Sequence, residues 1–507
     1  MPATAREHTI AVGLCSHTNV GKTSLARTLL GRDVGEVRDS PHVTEFADGY
    51  TWIESPAGQT LQLWDTPGFG DCQRLLKRLD PSGNPFAWLL THVWDRWRDK
   101  PFYLTQKALR NLQDESDVIV YLVNASEPPR SAAYVESEFR LLEWMNKPVI
   151  VLVNQLGTEQ TLEQEAADVA VWKEYLASRY AFVGEVLPLD AFSRCWVQEY
   201  RLLDAVHAAL QDPQRQVLMQ ALCVAWQREK LDRFEKSMRA LAEYVARCAV
   251  TRQLVSEPVG VARTVLDTVR FRNRGEAAQR QAEAALGDTL RRHTREMHAT
   301  LAGINGVDVT VLDEVAAALK QMSHPAKGVS APKVSALGGL VGGALAGLGT
   351  DLMSGGLSLG MGMIIGGITG ALGGGGAAYG YNLVAGKAGQ WMDWDAEALT
   401  QIFRNAVLFY LLVAHLGRGR GPAVLAREHP RWATAVPRAM EAEESTLRAM
   451  WNSRKTDAVD AGARQRLSEQ LTPVMTDVTW GVLEELYPWA SRVREIPVSI
   501  AHVASRA

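Results

Sequence analysis

Near the N-terminus an apolar run, Thr9-Ile10-Ala11-Val12-Gly13-Leu14-Cys15, ends in a polar loop, Ser16-His17-Thr18-Asn19-Val20. The loop closes with Gly21-Lys22-Thr23-Ser24 and continues as a helical pattern through Leu25–Leu30. The order is strand, phosphate loop, helix. Successive backbone N–H groups and a helix N-terminus form a cradle for an anionic phosphate chain. In that cradle Lys22 reaches the β- and γ-phosphates and the Thr23 hydroxyl holds Mg²⁺. The blander reading is a Gly-Lys-Thr turn before an ordinary helix, and the strand ahead of it weighs against that. Ser16 stands at the first loop position, where glycine is usual, and is small enough to fit.

Downstream the pattern continues in the same sense. A polar stretch, Gly31–Pro41, leads to His42-Val43-Thr44 and a strand over Glu45–Glu54. Pro56-Ala57-Gly58 then turns the chain into a second strand, Gln59–Trp64. Thr44 is placed to put its hydroxyl on Mg²⁺ and its backbone on the γ-phosphate, in a loop that senses that phosphate. Its other reading is a turn residue. The next strand ends in Asp65-Thr66-Pro67-Gly68-Phe69, some forty residues after Lys22. Asp65 can hold the water shell of the metal, and Gly68 can offer its N–H to the γ-phosphate while acting as a hinge. Residues 71–116 are too long for a plain connection and carry amphipathic patterns, which predicts a helical insert.

Two further apolar strands follow, Asp117–Ser126 and Lys147–Asn154, with a crossover helix at Glu136–Met145 between them. The second runs into Asn154-Gln155-Leu156-Gly157, and a last strand spans Ala181–Leu189. This alternation predicts an α/β P-loop fold over residues 1–210, a mostly parallel sheet with helices on both faces. Ligand belongs at the carboxyl ends of the strands, where Ser16, Thr44, Asp65 and Asn154 fall.

The P-loop and the Asp-Thr-Pro-Gly motif together resemble those of the Era- and TrmE-like GTPases of the translation-factor-related class. Their P-loops read Gly-x-Pro-Asn-x-Gly-Lys-Ser/Thr, so Thr18 stands here in place of proline. The resemblance implies GTP/GDP as ligand with Mg²⁺. It gives the P-loop roles to Ser16, Asn19, Gly21, Lys22 and Thr23, with His17, Thr18, Val20 and Ser24 beside them, and the second-switch roles to Asp65 and Gly68. Two departures bear on chemistry. Phe69 follows Gly68 where Ras-like enzymes carry a water-orienting glutamine, which implies slow hydrolysis. The base-reading Asn-Lys-x-Asp of the class is reduced to Asn154-Gln155-Leu156-Gly157, so the carboxylate that reads guanine is missing and preference for GTP over ATP is open. Asn19 matches an asparagine that in some relatives ligates K⁺. This implies K⁺-stimulated hydrolysis with G domains forming a homodimer, against the reading that Asn19 only braces the loop.

The remainder of the 507 residues has a different texture. Residues 211–332 read as long amphipathic helices with apolar stripes at Leu231, Phe234, Met238, Leu241, Val245 and Cys248 and again at Leu286, Leu290, Met297 and Leu301. Residues 333–390 form a glycine-rich segment; between Val334 and Gly386 Asp351 is the one charge. Its small-x-x-x-small spacing (Gly338/Gly342, Gly356/Gly360, Gly362/Gly366/Gly370) predicts a helical hairpin with two arms of about 16 and 20–25 residues. One reading sets the hairpin in or on a membrane; the other packs it inside a soluble helical domain. Residues 391–507 read as a C-terminal helical region, in which Phe403–Leu416 is apolar but too short to span a bilayer. A G domain followed by helices around such a hairpin resembles a group of bacterial GTPases with a C-terminal domain of unknown function.

A net charge of −3 and the lack of a basic module count against nucleic acid as a partner. The five cysteines are scattered without metal-ligand spacing, and no signal-peptide core precedes the first strand. The expected location is therefore cytoplasmic or, on the membrane reading, peripheral or integral at the inner membrane. The leading function is a Mg²⁺-dependent GTP-binding protein and slow GTPase whose nucleotide state controls the helical region. The alternatives are a nucleotide-binding scaffold without useful turnover and an Era-like RNA-associated assembly factor.

Overall fold

The computed structural model describes residues 6–34, 48–70, 72–79, 100–154, 162–189, 195–256, 268–307, 381–386, 389–416, 431–432, 434–454 and 461–495. Thr44, Gln155, Gly157 and most of the glycine-rich segment (334–380) lie outside the described residues, as does 308–332, the end of the region read as long helices. The chain divides into two compact units, one comprising Met1–Leu231, His415–Arg427 and Tyr487–Ala507, the other Asp232–Ala414 and Glu428–Leu486.

The first unit is built on a sheet of six strands: β1 (Thr9–Ser16), β2 (Asp48–Glu54), β3 (Thr60–Asp65), β4 (Val118–Asn124), β5 (Val149–Asn154) and β6 (Val183–Pro188). Their order is β2-β3-β1-β4-β5-β6. Only β2 runs antiparallel, paired to β3 through the turn at Pro56-Ala57-Gly58. β1, β4 and β5 are apolar runs without alternation because helices cover both faces, and nearly every side chain in them is buried. Gly13 is required where β1 passes the end of the helix α3 (Lys100–Glu115): a Cβ there would drive into Leu112 and Ser116.

Four helices matter for the site. α1 (Lys22–Leu30) starts at Gly21 in the left-handed region, φ 95°, and ends at Gly31, φ 64°, two positions where a side chain would strain the turn. α2 (Cys72–Leu79) and α3 are the described parts of the helical insert. α4 (Ala133–Trp144) is the crossover helix between β4 and β5, and α2 packs on it. α5 (Leu162–Ala177) and α6 (Trp196–Ala209) complete this unit with the start of α7 (Pro213–Val250).

The second unit takes the rest of α7 and adds α8 (Thr268–Asn305), α9 (Ala396–His415), α10 (Glu444–Ser453) and α11 (Ala461–Leu486). The stripe read from the sequence is its core. Phe234 packs against Tyr410 and Trp480, with ring centroids 5.6 and 5.0 Å away. Leu241, Val245, Leu286, Leu290 and Leu301 are all buried. The helical expectation needs two corrections. The long helix stops at Val250, and Arg252–Ser256 is a strand, β7. The end of the segment assigned to the glycine-rich hairpin is a strand pair, β8 (Tyr381–Gly386) and β9 (Gly389–Trp394), and β9 lies between β7 and β8 in an antiparallel sheet. β8 and β9 pair antiparallel with Gly386 opposite Gly389, and the glycines of the small-x-x-x-small spacing lie outside the described residues. α9 is also longer than its apolar stretch suggests. At 20 residues it is the one helix among those described that is long and apolar enough to cross a membrane, and 67% of its apolar window is buried.

Candidate functional site: a phosphate loop braced from three strands

The site lies where β1, β3 and β5 end. β1 closes at Ser16, and the chain crosses a loop containing Asn19 in the left-handed region, φ 63°, before Gly21 opens α1. Asparagine tolerates that conformation better than other side chains. The Lys22 ammonium folds back over the loop, donating to Ser16 Oγ at 2.9 Å and to the His17 carbonyl at 3.5 Å. Burial lowers its pKa from the usual lysine range, opposed by the attraction of Asp65. A desolvated ammonium of this kind interacts strongly with a polyanion that replaces its lost water.

Thr23 Oγ1 donates to Asp65 Oδ2 at 2.6 Å, so the first-turn hydroxyl and the carboxylate at the end of β3 meet directly. A hydroxyl beside a carboxylate is a hard oxygen pair that fits Mg²⁺. Gly68 comes so close to the loop that a Cβ would sit 3.0 Å from Thr18 Cα and 3.2 Å from Lys22 Nζ. A side chain there would have to push the Thr18 backbone aside, so glycine gives the tightest approach of this segment to the loop. Phe69 then turns inward. Its N–H donates to the Ser16 carbonyl at 3.0 Å and its ring is fully buried in the core. Thr66 Oγ1 ties the same segment to the Leu14 carbonyl at 2.7 Å.

Asn154 is fully buried, and its Nδ2 donates to the Val20 carbonyl at 2.6 Å. It therefore ties β5 to the phosphate loop. Ser16, Lys22, Thr23, Asp65, Gly68 and Asn154 are thus brought together. Val20 and Ser24 are buried beneath the loop. The His17 side chain points away from this group toward α4, where Nδ1 lies 2.7 Å from Glu138 Oε1. Glu138, Tyr121 and Tyr134 were not singled out in the sequence. The available signal was a carboxylate on the apolar stripe of α4, between Val135 and Phe139 and Leu142, all of them buried.

A family model described as "50S ribosome-binding GTPase" matches residues 11–155. A second, described as "Domain of unknown function (DUF3482)", matches residues 185–473. Among curated proteins none matches the chain. Similar solved structures include Era from Aquifex aeolicus bound to GDP·AlF4⁻, at 16% identity and TM-score 0.30, covering 57% of this chain and 89% of that one. Era with MgGDPNP and a segment of 16S ribosomal RNA is similar at 16% identity and TM-score 0.29, covering 55% and 90%. A probable GTP-binding protein, EngB, follows at 18% identity and TM-score 0.25, covering 40% and 98%. The N-terminal unit carries a GTP-binding P-loop GTPase domain. The DUF3482 match takes in more than half of the 507 residues, and the chain belongs to that family, a GTPase domain joined to a C-terminal domain of unknown function.

Proposed function

We propose that this chain is a Mg²⁺-dependent GTP switch with slow hydrolysis, whose nucleotide state sets the behaviour of its helical C-terminal region. The observation that carries the reading is the convergence of Lys22, Thr23, Asp65 and Gly68. The Thr23 hydroxyl touches the Asp65 carboxylate at 2.6 Å, and Gly68 lies against Lys22. In this reading Lys22 binds the β- and γ-phosphates, and Thr23 and Thr44 hold the metal. Asp65 holds its water shell, and Gly68 with Thr44 senses the γ-phosphate. Slow turnover follows from Phe69, whose buried ring offers no polar atom to orient an attacking water.

With no carboxylate in Asn154–Gly157, preference for GTP over ATP requires another group to take over the reading of the guanine edge. Competition of GTP against ATP for the purified protein with Mg²⁺ tests the reading. GTP is expected to displace a bound guanine nucleotide at least tenfold more effectively than ATP, the scale a base-reading contact supplies. Equal competition would make the chain an unselective nucleotide binder.

Asn19, in its left-handed conformation at the rim of the loop, supports a K⁺ ion as the charge that stands in for an arginine finger, with G domains paired as a homodimer. Replacing K⁺ by Na⁺ at constant ionic strength is then expected to slow GTP hydrolysis by an order of magnitude or more. An unchanged rate would reduce Asn19 to a brace. Membrane contact through residues 334–386 is supported by their small-x-x-x-small spacing and near absence of charge.

A further inference from the structure

We infer that Glu138 is a positioning residue for the nucleotide site, holding the phosphate loop in shape through His17. The inference rests on the GTP-binding reading of that loop and goes beyond it, because Glu138 lies on a helix that no motif includes.

The Glu138 carboxyl is almost wholly buried, with 1% of its side chain exposed. A carboxylate in that position is costly unless both oxygens are satisfied. Both are: Oε1 lies 2.7 Å from His17 Nδ1, and Oε2 accepts from the Tyr121 hydroxyl at 2.5 Å. One turn earlier on the same face of α4, Tyr134 stacks on the His17 ring, with centroids 4.3 Å apart and planes 15° from parallel. Tyr134 is in turn fixed by its hydroxyl, which donates to Glu127 Oε2 at 2.9 Å. The imidazole is thus held at its edge by Glu138 and on its face by Tyr134, two residues four apart that share a side of the helix.

What His17 controls is on the other side of its backbone. Its carbonyl and the neighbouring Ser16 hydroxyl are the two acceptors of the Lys22 ammonium. The Ser16 carbonyl accepts from Phe69 N–H, which joins the segment after Gly68 to the same point. Displacing the His17 ring therefore displaces the acceptors that aim Lys22. Such displacements are expensive for binding and chemistry even when the residue touches no ligand. A core carboxylate with a purely structural role would need partners only within α4 and β4. This one reaches into the phosphate loop.

The test is calorimetric titration of the full chain with GTP and with GDP in the presence of Mg²⁺, alongside thermal melts without nucleotide. His17→Ala and Glu138→Ala are each expected to weaken both nucleotides about tenfold. The double variant should lose no more than the worse single one, because both act through one contact. Glu138→Gln, which keeps a side chain of the same shape able to bond His17 and Tyr121, should restore binding to within about twofold. Glu138→Ala lowers the melting temperature by emptying a buried site and His17→Ala by leaving Glu138 Oε1 without its partner, so the melts without nucleotide separate a loss of stability from a loss of affinity. Unmodified affinity in His17→Ala, additive losses in the double variant, or a Gln variant as weak as Ala would overturn the inference. An unmodified chain that binds neither nucleotide would overturn the GTP-binding reading itself, and this inference with it.

Discussion

Lys22→Ala is expected to weaken GTP binding by about 100-fold, or ~3 kcal/mol, while leaving the nucleotide-free protein as stable as before or slightly more so. Both halves follow from the same geometry. The ammonium is buried, and its hydrogen bonds within the loop go to neutral oxygens of Ser16 and His17, so its charge is under-used until phosphates arrive. Burial lowers its pKa, which means that folding works against its protonated form. Removing the side chain relieves that cost in the free protein and removes the main cation in the complex. Titration with a fluorescent guanine nucleotide measures the first effect. Melting with and without GTP measures the second, since a ligand that binds only the native state raises the melting temperature. A variant that kept full affinity would mean that the phosphates bind elsewhere.

The second large effect is expected in the other unit. Arg454→Met should destabilise it by about 3–5 kcal/mol, read as an earlier urea midpoint. Arg454 is buried after α10 and donates to two carbonyls, Ala249 at 2.8 Å and Trp394 at 2.7 Å, and among the described residues no other side-chain bond to them is seen. It also lies 3.6 Å from Asp393, which is 1% exposed at its side chain in the middle strand of the small sheet. Arg252, at 3.5 Å, and Asn382, donating at 3.1 Å, remain as partners of that carboxylate. They sit on the flanking strands β7 and β8 and leave the two carbonyls unserved. Methionine matches the volume of the stem but supplies no donor, so the loss is that of hydrogen bonds and charge rather than of space. Adding Asp393→Leu to this variant should recover part of the stability, because the buried carboxylate that has lost one of its two cations goes with it. No shift of the midpoint in Arg454→Met would show that the cluster does not hold the sheet to the end of α7.

The elements with strong local signatures were legible without coordinates. Short apolar runs bounded by turn residues read as buried strands, and β4 and β5 lie within the segments where their composition placed them, while β1 overruns its own by one residue, Ser16. Gly21-Lys22-Thr23 after a strand defines a helix start, and α1 begins at Lys22. The stripes of α7 and α8 became the core of the second unit. The small sheet was not legible. Its strands are five or six residues long and come from chain segments more than a hundred residues apart. Short β segments take their stability from cross-strand partners, which local sequence does not name.

The site divides in the same way. Sequence alone singled out the residues to which the proposed chemistry is assigned, the lysine, the threonine, the aspartate and the hinge glycine, because the spacing of each from a strand end is a covalent matter. It also determined that the guanine-reading carboxylate is missing from Asn154–Gly157. Tertiary structure alone decided that Asn154 braces the loop at Val20, that Phe69 is buried in the core, and that His17 turns its side chain to Glu138 on α4. The Asn154–Val20 and His17–Glu138 bonds join residues 134 and 121 positions apart in the chain, and their geometry is set by the register of the sheet and the docking of α4 upon it. A motif specifies the groups that meet a ligand. What holds those groups still is chosen by whichever distant side chains the fold brings behind them.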